Sequence, residues 1–453
     1  MERRTCLMGV LLICLVLMVL TENVQAVPSF ARKYQTSCAT CHEAFPRLNS
    51  VGVAFRNNGY RFTDDEIYIK DEPLELGDEA YKRLWPNSIW PSNMSGLPPI
   101  SMRILSDFSS DIGGTKASRT KFDFPHEVEL FAAGTLGDKL SYFAELEWEG
   151  GEMDAVATFT FNDLFGPENA FNMRVGTLQG CWAGVYTARD GDRFTKNHYL
   201  YGDWRIPYPT QFGAKSTKNT YRVRNDAPGV ELNGFGRSWY YAVGIVEGDS
   251  NLSEKDFFAQ VAYKIGGTGF DGSGADLGEE DELEVSAESW VDDSLTLSGF
   301  FNTGERLVNQ TGVAADVRTD DFWRAGGGLI WKNGDLQLGG GYFFGENDNP
   351  YGTYSSASID SKGWFVETSY FYKPWLIPTV RYETRDLDMP STGVGSLGKD
   401  QKLAYIVPSL KILLRANVSL TLEGRFRVTD ESRGSGATLS DGNMLWARLD
   451  FAF

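Results

Sequence analysis

The sequence has 453 residues and a formal net charge of −18, with 61 acidic and 43 basic side chains. This acidic balance argues against nucleic acid as a partner, because surfaces that bind nucleic acid are basic. Only five residues are cysteine, which excludes a scaffold held together by many disulfides.

Residues 1–26 have the pattern of a secretory signal peptide. Arg3 and Arg4 form a short basic region, an apolar run follows from Cys6 to Leu20, and Val24-Gln25-Ala26 is a small-residue cleavage site. Such a leader is removed on export. An N-terminal membrane anchor is the alternative, although the run is short for a spanning helix. After residue 26, no apolar stretch is long enough to span a membrane as a helix.

Cys38-Ala39-Thr40-Cys41-His42 has the C-x-x-C-H pattern of covalent c-type haem attachment. Two thiols three positions apart can each bond one vinyl group, and the next residue offers an imidazole to the iron. We therefore predict one covalent haem c, held by Cys38 and Cys41, with His42 as the metal ligand. A redox dithiol would need a βαβ setting and a closed zinc site needs four ligands, whereas the only other cysteine after the leader is Cys181.

Residues 27–62 are basic, whereas the remainder of the mature chain is strongly acidic. Five basic side chains against Glu43 give this segment a balance of +4, which leaves −22 for the rest. Its arginines could pair with haem propionates or with carboxylates elsewhere, or could simply be solvated. Apolar residues that could cover the porphyrin are Phe30, Phe45, Leu48, Val51, Val53 and Phe55. A segment this short has little core of its own, so we predict that it plugs or packs against the following domain.

Residues 63–99 are polar and contain five prolines, which predicts a connector with little regular structure. Together with the basic segment they form a monohaem cytochrome c-like region over residues 27–99. The sequence leaves the sixth haem ligand open. The alternatives are an open site or one of four side chains, namely Met94, Met102, His126 and His198.

From about residue 100 onward, apolar and polar residues alternate. Val418, Leu420 and Leu422 share one face, and Ser419, Thr421 and Glu423 share the other. The same alternation recurs around residues 141–149 and 380–385. It predicts strands of roughly ten residues that have one apolar and one charged face.

Turn signals separate these strands. Asn233-Gly234, Asn333-Gly334, Lys373-Pro374 and Ala416-Asn417 each lie between two runs. In the C-terminal half they alternate with long polar loops, near 305–320, 346–361, 387–402 and 430–441. Short turns on one rim and long loops on the other are typical of outer-membrane barrels. The amphipathic last strand, which ends at Phe453, resembles the assembly signal of such proteins.

We therefore predict an all-β fold, a transmembrane antiparallel β-barrel over residues 100–453 in a bacterial outer membrane. The alternating runs after residue 100 number 17, but single-chain barrels have even strand counts. The alternation of short turns and long loops also breaks between about residues 237 and 294, so one of the predicted strands there is expected to be wrong. The prediction is about 16 strands, with 14 or 18 as alternatives. A soluble sandwich would bury its apolar faces, and a propeller would repeat every 40 residues or so, a repeat that the sequence lacks.

Val27-Pro28-Ser29-Phe30-Ala31-Arg32, followed five residues later by the haem motif, resembles the start of the iron-oxidising outer-membrane monohaem cytochrome–porin fusion family. The stretch after the motif is also similar, at Phe45-Pro46, Gly52, Phe55 and Asn58-Gly59-Tyr60. Lys33-Tyr34-Gln35 departs from the family pattern. The resemblance covers residues 27–62. It implies that extracellular Fe(II) is the electron donor and that a periplasmic c-type cytochrome is the acceptor.

The function predicted on these grounds is electron transfer across the outer membrane through a single haem held by a porin-like barrel. Three alternatives remain open. Electrons could flow outward to an extracellular acceptor, the protein could be a solute porin with a haem-bearing plug, or it could be a haem-bearing adhesin or structural barrel. Whether the protein is an enzyme, as an Fe(II)-oxidising cytochrome would be, depends on the donor.

Overall fold

The computed structural model describes residues 29–62, 74–75, 93–94, 100–112, 120–136, 139–179, 193–196, 226–248, 255–275, 288–309, 317–349, 358–388, 401–430 and 443–453. The predicted signal peptide, most of the predicted connector, Cys181 and His198 lie outside these ranges. Helices α1 and α2 span Ser29–Tyr34 and Ser50–Asn57, and a 3-10 turn spans Cys38–Thr40. Over the described ranges, no helix has the length and apolar character needed to cross a membrane.

Most described residues belong to β-strands. Four short strands come first, namely β1 (His42–Ala44), β2 (Arg47–Leu48), β3 (Leu74–Glu75) and β4 (Asn93–Met94). Sixteen longer strands follow, namely β5 (Ile100–Ile112), β6 (Thr120–Thr135), β7 (Leu140–Glu149), β8 (Glu152–Phe161), β9 (Asn172–Gln179), β10 (Asp226–Phe235), β11 (Trp239–Glu247), β12 (Lys255–Ile265), β13 (Ser294–Asn309), β14 (Val317–Asn333), β15 (Leu336–Asn347), β16 (Ile359–Tyr370), β17 (Leu376–Asp388), β18 (Gln401–Arg415), β19 (Val418–Asp430) and β20 (Asn443–Ala452).

These sixteen strands form one closed antiparallel barrel in which each strand pairs with its sequence neighbours. The barrel closes where β20 pairs with β5, with Arg448 opposite Asp107. Backbone hydrogen bonds extend the seam between Phe453 and Met102, at 2.8 and 2.9 Å. The predicted all-β barrel and its strand number of 16 are confirmed.

The two rims of the barrel differ in their connections. Tight turns such as Asn333–Leu336 lie at the rim where the chain enters at Ile100, and the longer connections lie at the opposite rim. Three connections depart from this pattern. The turn at Gly150–Gly151 between β7 and β8 is tight but lies at the long-loop rim, and residues 162–171 form a longer connection at the short-turn rim. Residues 266–293, which join β12 to β13, are the longest connection at the short-turn rim. This is the region where the predicted alternation failed.

The predicted turn at Asn233-Gly234 is wrong. Both residues lie inside β10, where they pair with Ala242 and Tyr241 of β11. The turn lies instead at Gly236–Ser238, where Gly236 N donates to Trp239 O at 2.9 Å. Gly234 is required for a different reason, since a Cβ there would meet the Ala170 carbonyl oxygen at 2.0 Å.

The barrel has its apolar side outside and its charged side inside. Outward-facing Phe257 and Tyr263 are 55% and 54% exposed, whereas inward-facing Arg381 and Glu383 are 0% exposed. A protein surrounded by water would not leave so many large apolar side chains on its surface. An even-stranded closed barrel with an apolar outer face is the form that spans outer membranes. The protein is therefore an outer-membrane β-barrel, and its short-turn rim faces the periplasm.

Candidate functional site

The N-terminal segment, residues 29–62, lies against the inner wall of the barrel near the short-turn rim. The Tyr60 ring stacks on inward-facing Phe143 of β7, with centroids 5.6 Å apart. Arg61 forms an ion pair with Asp163, in the turn between β8 and β9, at 3.5 Å. Two strands from β7, Ser29 N donates to Ser101 Oγ of β5 at 2.9 Å. Because Glu43 of the segment also contacts β14, seven strands from β7 around the barrel, the segment crosses the lumen.

Lysines of the wall hold the middle of this segment. Lys411 Nζ of β18 donates to the Phe45 carbonyl oxygen at 3.1 Å. Lys332 of β14 pairs with the buried carboxylate of Glu43. The charge contrast in the sequence predicted a basic segment drawn to an acidic barrel. The central contact has the reverse polarity, because the one acidic residue of the segment is held by a basic side chain of the wall.

Cys38 to Cys41 of the C-x-x-C-H motif form a single tight turn. Cys41 N donates to Cys38 O at 3.2 Å, and Ser37 Oγ accepts from Ala39 N at 3.2 Å, which caps the turn. Cys38 and Cys41 are unpaired thiols, and both keep some exposed surface. Burial raises the pKa of Cys41 to about 12 and also raises that of Cys38. The two thiols are therefore protonated, and they lie at the two ends of one turn.

The side chain of Asn49 holds this turn in place, although the sequence did not lead us to predict a role for Asn49. Its side-chain amide donates to the carbonyl oxygens of Ala39 and Thr40 at 3.2 and 3.0 Å. Its Oδ1 accepts from Gly52 N at 2.9 Å and so caps the first turn of α2. The available signal was an asparagine directly before a helical run. Gly52 is needed here, since a Cβ would meet the Cys41 carbonyl oxygen at 2.1 Å.

His42 opens the short hairpin of β1 and β2. Its Nδ1 lies 2.9 Å from the Pro46 carbonyl oxygen. A carbonyl oxygen can only accept, so Nδ1 carries the proton and Nε2 keeps its lone pair. Burial, with a smaller contribution from nearby Lys411 and Arg103, lowers the pKa of His42 to about 4. The imidazole is therefore neutral and its ring orientation is fixed by the backbone.

These three residues fit a covalently attached haem. Two protonated thiols on one turn could hold the vinyl carbons, and Nε2 of His42 is the nitrogen that a metal would bind. Histidines that ligate metals commonly donate their other ring nitrogen to a backbone carbonyl, as His42 does to Pro46. Among the described residues, no group of three or more His, Cys, Asp or Glu side chains is arranged to hold a bare metal ion.

The apolar residues proposed as a porphyrin cover have several different positions. Phe30, Val51 and Phe55 pack with Tyr34 and Phe62 in a small core of the segment itself. Phe45 is the aromatic residue beside the motif, with its ring centroid 5.6 Å from that of His42. The pairing of rings within the segment gives it more internal packing than its length suggested.

Two of the four side chains considered for the sixth ligand point elsewhere. The His126 nitrogens face Asp123 Oδ2 at 3.1 Å and Glu149 Oε1 at 3.4 Å. Met102 alternates with inward-facing Arg103 on β5, so its side chain is directed outward. The side chains of Met94 and His198 lie outside the part of the chain that the structure describes.

A piece of the connection between β9 and β10, residues 193–196, also lies in the lumen. Phe194 is fully buried and packs with Ala44, Trp290 and Phe371. Lys196 Nζ lies 2.8 Å from Asp107 Oδ2, and Lys196 N donates to Glu423 Oε2 at 2.6 Å. These four residues therefore fold into the lumen. The connection starts at the long-loop rim and reaches the N-terminal segment.

No protein-family model matches the sequence, and a search of curated proteins finds no match. Solved structures with a similar fold include a loop-deletion mutant of OmpT from Vibrio cholerae (TM-score 0.47, 13% identity, 78% of this chain and 98% of that one). OmpF of Salmonella typhi in complex with daunomycin is similar at a TM-score of 0.49 and 10% identity, over 78% and 97% of the two chains. An anion-selective porin from Comamonas acidovorans is similar at 0.48 and 10% identity, over 78% and 98%. Identities and scores this low carry no functional inference.

Proposed function

We propose that this outer-membrane barrel carries one covalent haem on its N-terminal segment and transfers electrons across the membrane. The observation that carries the proposal is the Cys38–Cys41 turn together with His42, whose Nδ1 is bonded to Pro46 O at 2.9 Å. This group belongs to a segment that contacts β7 and, seven strands away around the barrel, β14. C-x-x-C-H is the pattern of covalent haem attachment, and a histidine that donates its other ring nitrogen to a carbonyl oxygen is common among metal ligands.

Each residue has a separate role in this proposal. Cys38 and Cys41 would tether the haem, and His42 would be a ligand of its iron. Pro46 orients the imidazole, and Asn49 holds the turn against α2 through its contacts with Ala39 and Thr40. A bound haem supplies one-electron chemistry, with its potential set by the axial ligand and by burial. No side chain is required to act as an acid, a base or a nucleophile.

The barrel supports electron transfer by enclosing the segment in a polar lumen. The apolar band of an outer-membrane barrel is about 25 Å tall, and the N-terminal segment lies near the periplasmic rim. An extracellular donor must therefore enter the lumen, whereas a periplasmic c-type cytochrome could dock at the rim. Fe(II) as the donor follows from the resemblance of residues 27–62 to iron-oxidising fusions. Outward electron flow to an extracellular acceptor would use the same haem-binding residues and the same barrel.

The test is made on the full chain. The protein is produced in cells that attach c-type haem, purified from outer membranes in detergent, and compared with the Cys38→Ala/Cys41→Ala double variant. We expect haem to stay bound to the denatured wild-type chain and to be absent from the variant. The oxidised wild-type protein is then mixed with Fe²⁺ without oxygen, and the reduced-haem absorbance band is followed.

Each result has a definite meaning. Rapid reduction at near-neutral pH supports oxidation of Fe(II). A haem that dithionite reduces and Fe²⁺ does not reduce would exclude iron as the donor. A wild-type chain without covalent haem would refute the main proposal.

A porin for small solutes is the second candidate, and the barrel architecture fits it directly. Its specific support is an internal cavity of about 250 Å³ between the N-terminal segment and the wall. Steady ion conductance of the intact protein in a planar bilayer would favour a porin. If the protein conducts ions only after deletion of residues 27–62, that result would indicate that the N-terminal segment plugs the lumen.

A further inference from the structure

The lining of the cavity between the N-terminal segment and the barrel wall includes hydroxyl, amide and aromatic side chains. The cavity lies between α2 and the inner faces of the strands from β7 to β14, and it encloses about 250 Å³. An apolar cavity of about 150 Å³ is large enough to hold benzene. The space here therefore admits a molecule larger than a single six-membered ring.

Three polar side chains of the wall line this cavity and are almost fully buried. Gln260 of β12, Thr296 of β13 and Thr160 of β8 are 7%, 6% and 8% exposed. Over the described part of the chain, no group hydrogen-bonds to the amide of Gln260 or to the hydroxyl of either threonine. Buried polar groups in native proteins nearly always have a hydrogen-bond partner. The partners of these three groups must therefore come from the occupant of the cavity.

The N-terminal segment adds a fourth polar group to the lining. Asn57 of α2 is 8% exposed, and its Nδ2 donates to the Phe270 carbonyl oxygen at 3.3 Å. Its Oδ1 accepts no hydrogen bond from any residue that the structure describes. An occupant of the cavity would therefore be bonded from the segment as well as from the wall.

The polar groups of the wall are spread along the cavity. Thr296 lies opposite Lys264 in the register of β12 and β13, and Lys264 is four residues from Gln260. At roughly 3.3 Å per residue, this separation is about 13 Å. An elongated molecule, such as two linked sugar rings, can contact both side chains, and a single ring can contact one of them.

The chemistry of these groups indicates a neutral ligand that is rich in hydroxyl groups. A carboxamide and a hydroxyl both donate and accept hydrogen bonds, and the hydroxyl groups of a ligand do the same. A carboxylate or phosphate would instead place an acceptor against Asn57 Oδ1, which is itself an acceptor.

Aromatic rings in the lining suit the apolar face of such a ligand. The rings of Tyr240 and Phe270 pack together, with centroids 6.1 Å apart. A sugar ring presents C–H groups on its faces and hydroxyl groups at its edge, so it can pack on an aromatic surface while it hydrogen-bonds sideways. Lys264 and Asp292 of the same lining pair with each other at 2.8 Å, so a ligand needs no charge to fit beside them.

We propose that this cavity is a binding site for a neutral, polyhydroxylated solute, a mono- or disaccharide. Gln260 and Thr296 bind it from the wall, and Asn57 binds it from the segment. The proposal does not rest on haem attachment, because none of these side chains belongs to the C-x-x-C-H motif.

The experiment uses the full-length protein, purified from outer membranes in a detergent that has no sugar headgroup. Glucose and maltose are titrated as the neutral probes, with glucuronate and glucosamine as the negatively and positively charged counterparts of glucose. Binding is followed by saturation-transfer difference NMR, in which a bound sugar receives magnetisation from the protein. Far-ultraviolet circular dichroism checks that each barrel is folded.

Three variants locate the bound sugar. Gln260→Leu and Thr296→Val remove a hydrogen-bonding group and keep the approximate size of the side chain. Gln337→Leu is the matched control, because Gln337 is a glutamine of β15 that is 3% exposed and lies outside the cavity lining. Replacing a buried polar group that has no partner by an apolar group of similar shape costs little stability, so all three variants should fold.

We expect saturation transfer to glucose or maltose in the wild type. Gln260→Leu should weaken binding by about fivefold or more, because a hydroxyl of the ligand is left unpaired. Thr296→Val should weaken binding by a smaller factor, and Gln337→Leu should bind as the wild type does. Glucuronate and glucosamine should bind no better than glucose.

Three results would overturn the proposal. A folded wild type without saturation transfer to either neutral sugar would mean that the cavity holds only water. Tighter binding of glucuronate or glucosamine than of glucose would show that the site selects a charged ligand. Equal binding in Gln260→Leu, Thr296→Val and Gln337→Leu would place the sugar outside this cavity.

Discussion

The guanidinium carbon of Arg47 lies 4.1 Å from the centroid of the Phe194 ring. Arg47 belongs to the N-terminal segment, and Phe194 belongs to the connection between β9 and β10 that starts at the opposite rim. Their contact links the long-loop side of the barrel to the segment that carries the C-x-x-C-H motif. A cation over an aromatic face contributes about 2 kcal/mol where both partners are desolvated, and Phe194 is 0% exposed.

Phe194→Ala should loosen the N-terminal segment and leave the barrel intact. Removing a fully buried phenylalanine costs about 3–5 kcal/mol, and the cavity would open directly beside Ala44. We expect faster hydrogen exchange at the amides of α2 and of the β1–β2 hairpin. Phe257→Ala is the control, because that side chain is 55% exposed on the outer face. Equal exchange in both variants would show that Phe194 does not hold the segment.

The sequence predicted the barrel well because strand alternation is a local property. Ser419, Thr421 and Glu423 are buried in the lumen, and Leu422 is exposed outside, as the period of two indicated. The position of a turn was less secure, since Asn233-Gly234 looks like a turn by composition yet lies within β10. A glycine is required at this position because a Cβ would clash with the carbonyl oxygen of Ala170, a residue more than 60 positions away in the sequence.

The sequence predicted only part of the candidate site, because some of its features are local and others depend on distant residues. Cys38, Cys41 and His42 form a contiguous motif, so a sequence pattern could identify them. The contacts that hold the motif in place join distant parts of the chain, such as Lys411 with Phe45 and Lys332 with Glu43. Charge totals predicted that the segment would meet the barrel, but they could not predict which side chains would pair.

Gly59→Ala should detach the end of the segment from β7. Gly59 has a φ of +73°, and a Cβ there would lie 2.2 Å from Ser141 Oγ. The left-handed backbone alone costs an alanine about 1–2 kcal/mol, and displacement of Ser141 adds to that cost. We expect greater protease sensitivity near residue 60 and a lower unfolding midpoint.

Gly150→Ala is the matched control for this prediction. Gly150 has a φ of +61°, but no atom lies within 4 Å of the position that an alanine Cβ would take, so only the backbone cost remains. Adding Ser141→Ala to Gly59→Ala should restore part of the loss by removing the clashing hydroxyl. If Gly59→Ala and Gly150→Ala have equal effects, the close packing against β7 is not significant.

Arg448→Met should weaken the seam that closes the barrel. Arg448 binds Asp107 through two hydrogen bonds, at 2.7 and 3.0 Å, across β20 and β5. Both side chains are buried, so loss of the cation leaves a buried carboxylate. We expect a loss of about 3 kcal/mol, at the low end for a broken buried pair, because Lys196 remains 2.8 Å from Asp107.

An exposed ion pair of the same barrel provides the comparison. Lys362 lies 3.6 Å from Asp386, with the lysine side chain 51% exposed. Lys362→Met should cost less than about 1 kcal/mol, since water screens such pairs. Guanidinium titrations of both variants in lipid vesicles measure the difference. Equal midpoints for Arg448→Met and Lys362→Met would contradict a structural role for the buried pair.

Asp292 should make the stability of the barrel depend on pH in the acidic range. Burial alone would raise the pKa of this carboxyl, but the positive charges of Lys332 and Lys264 outweigh it and lower the pKa from 3.8 to about 2. The folded state therefore favours the ionised form, and the stabilisation is fully present above pH 4 and lost as the pH falls towards 2. The shift corresponds to about 2 kcal/mol.

Unfolding free energies of the wild type and of Asp292→Asn, measured between pH 2 and pH 6, test this dependence. The variant should be less stable by about 2 kcal/mol at pH 6, and the two curves should approach each other as the pH falls to 2, where about half of the wild-type carboxyls are neutral. Asp293→Asn is the control, because its side chain is exposed and accepts from Gly334 N at 2.8 Å. A difference between wild type and Asp292→Asn that stays constant from pH 6 to pH 2 would show that the ionised carboxylate does not stabilise this connection.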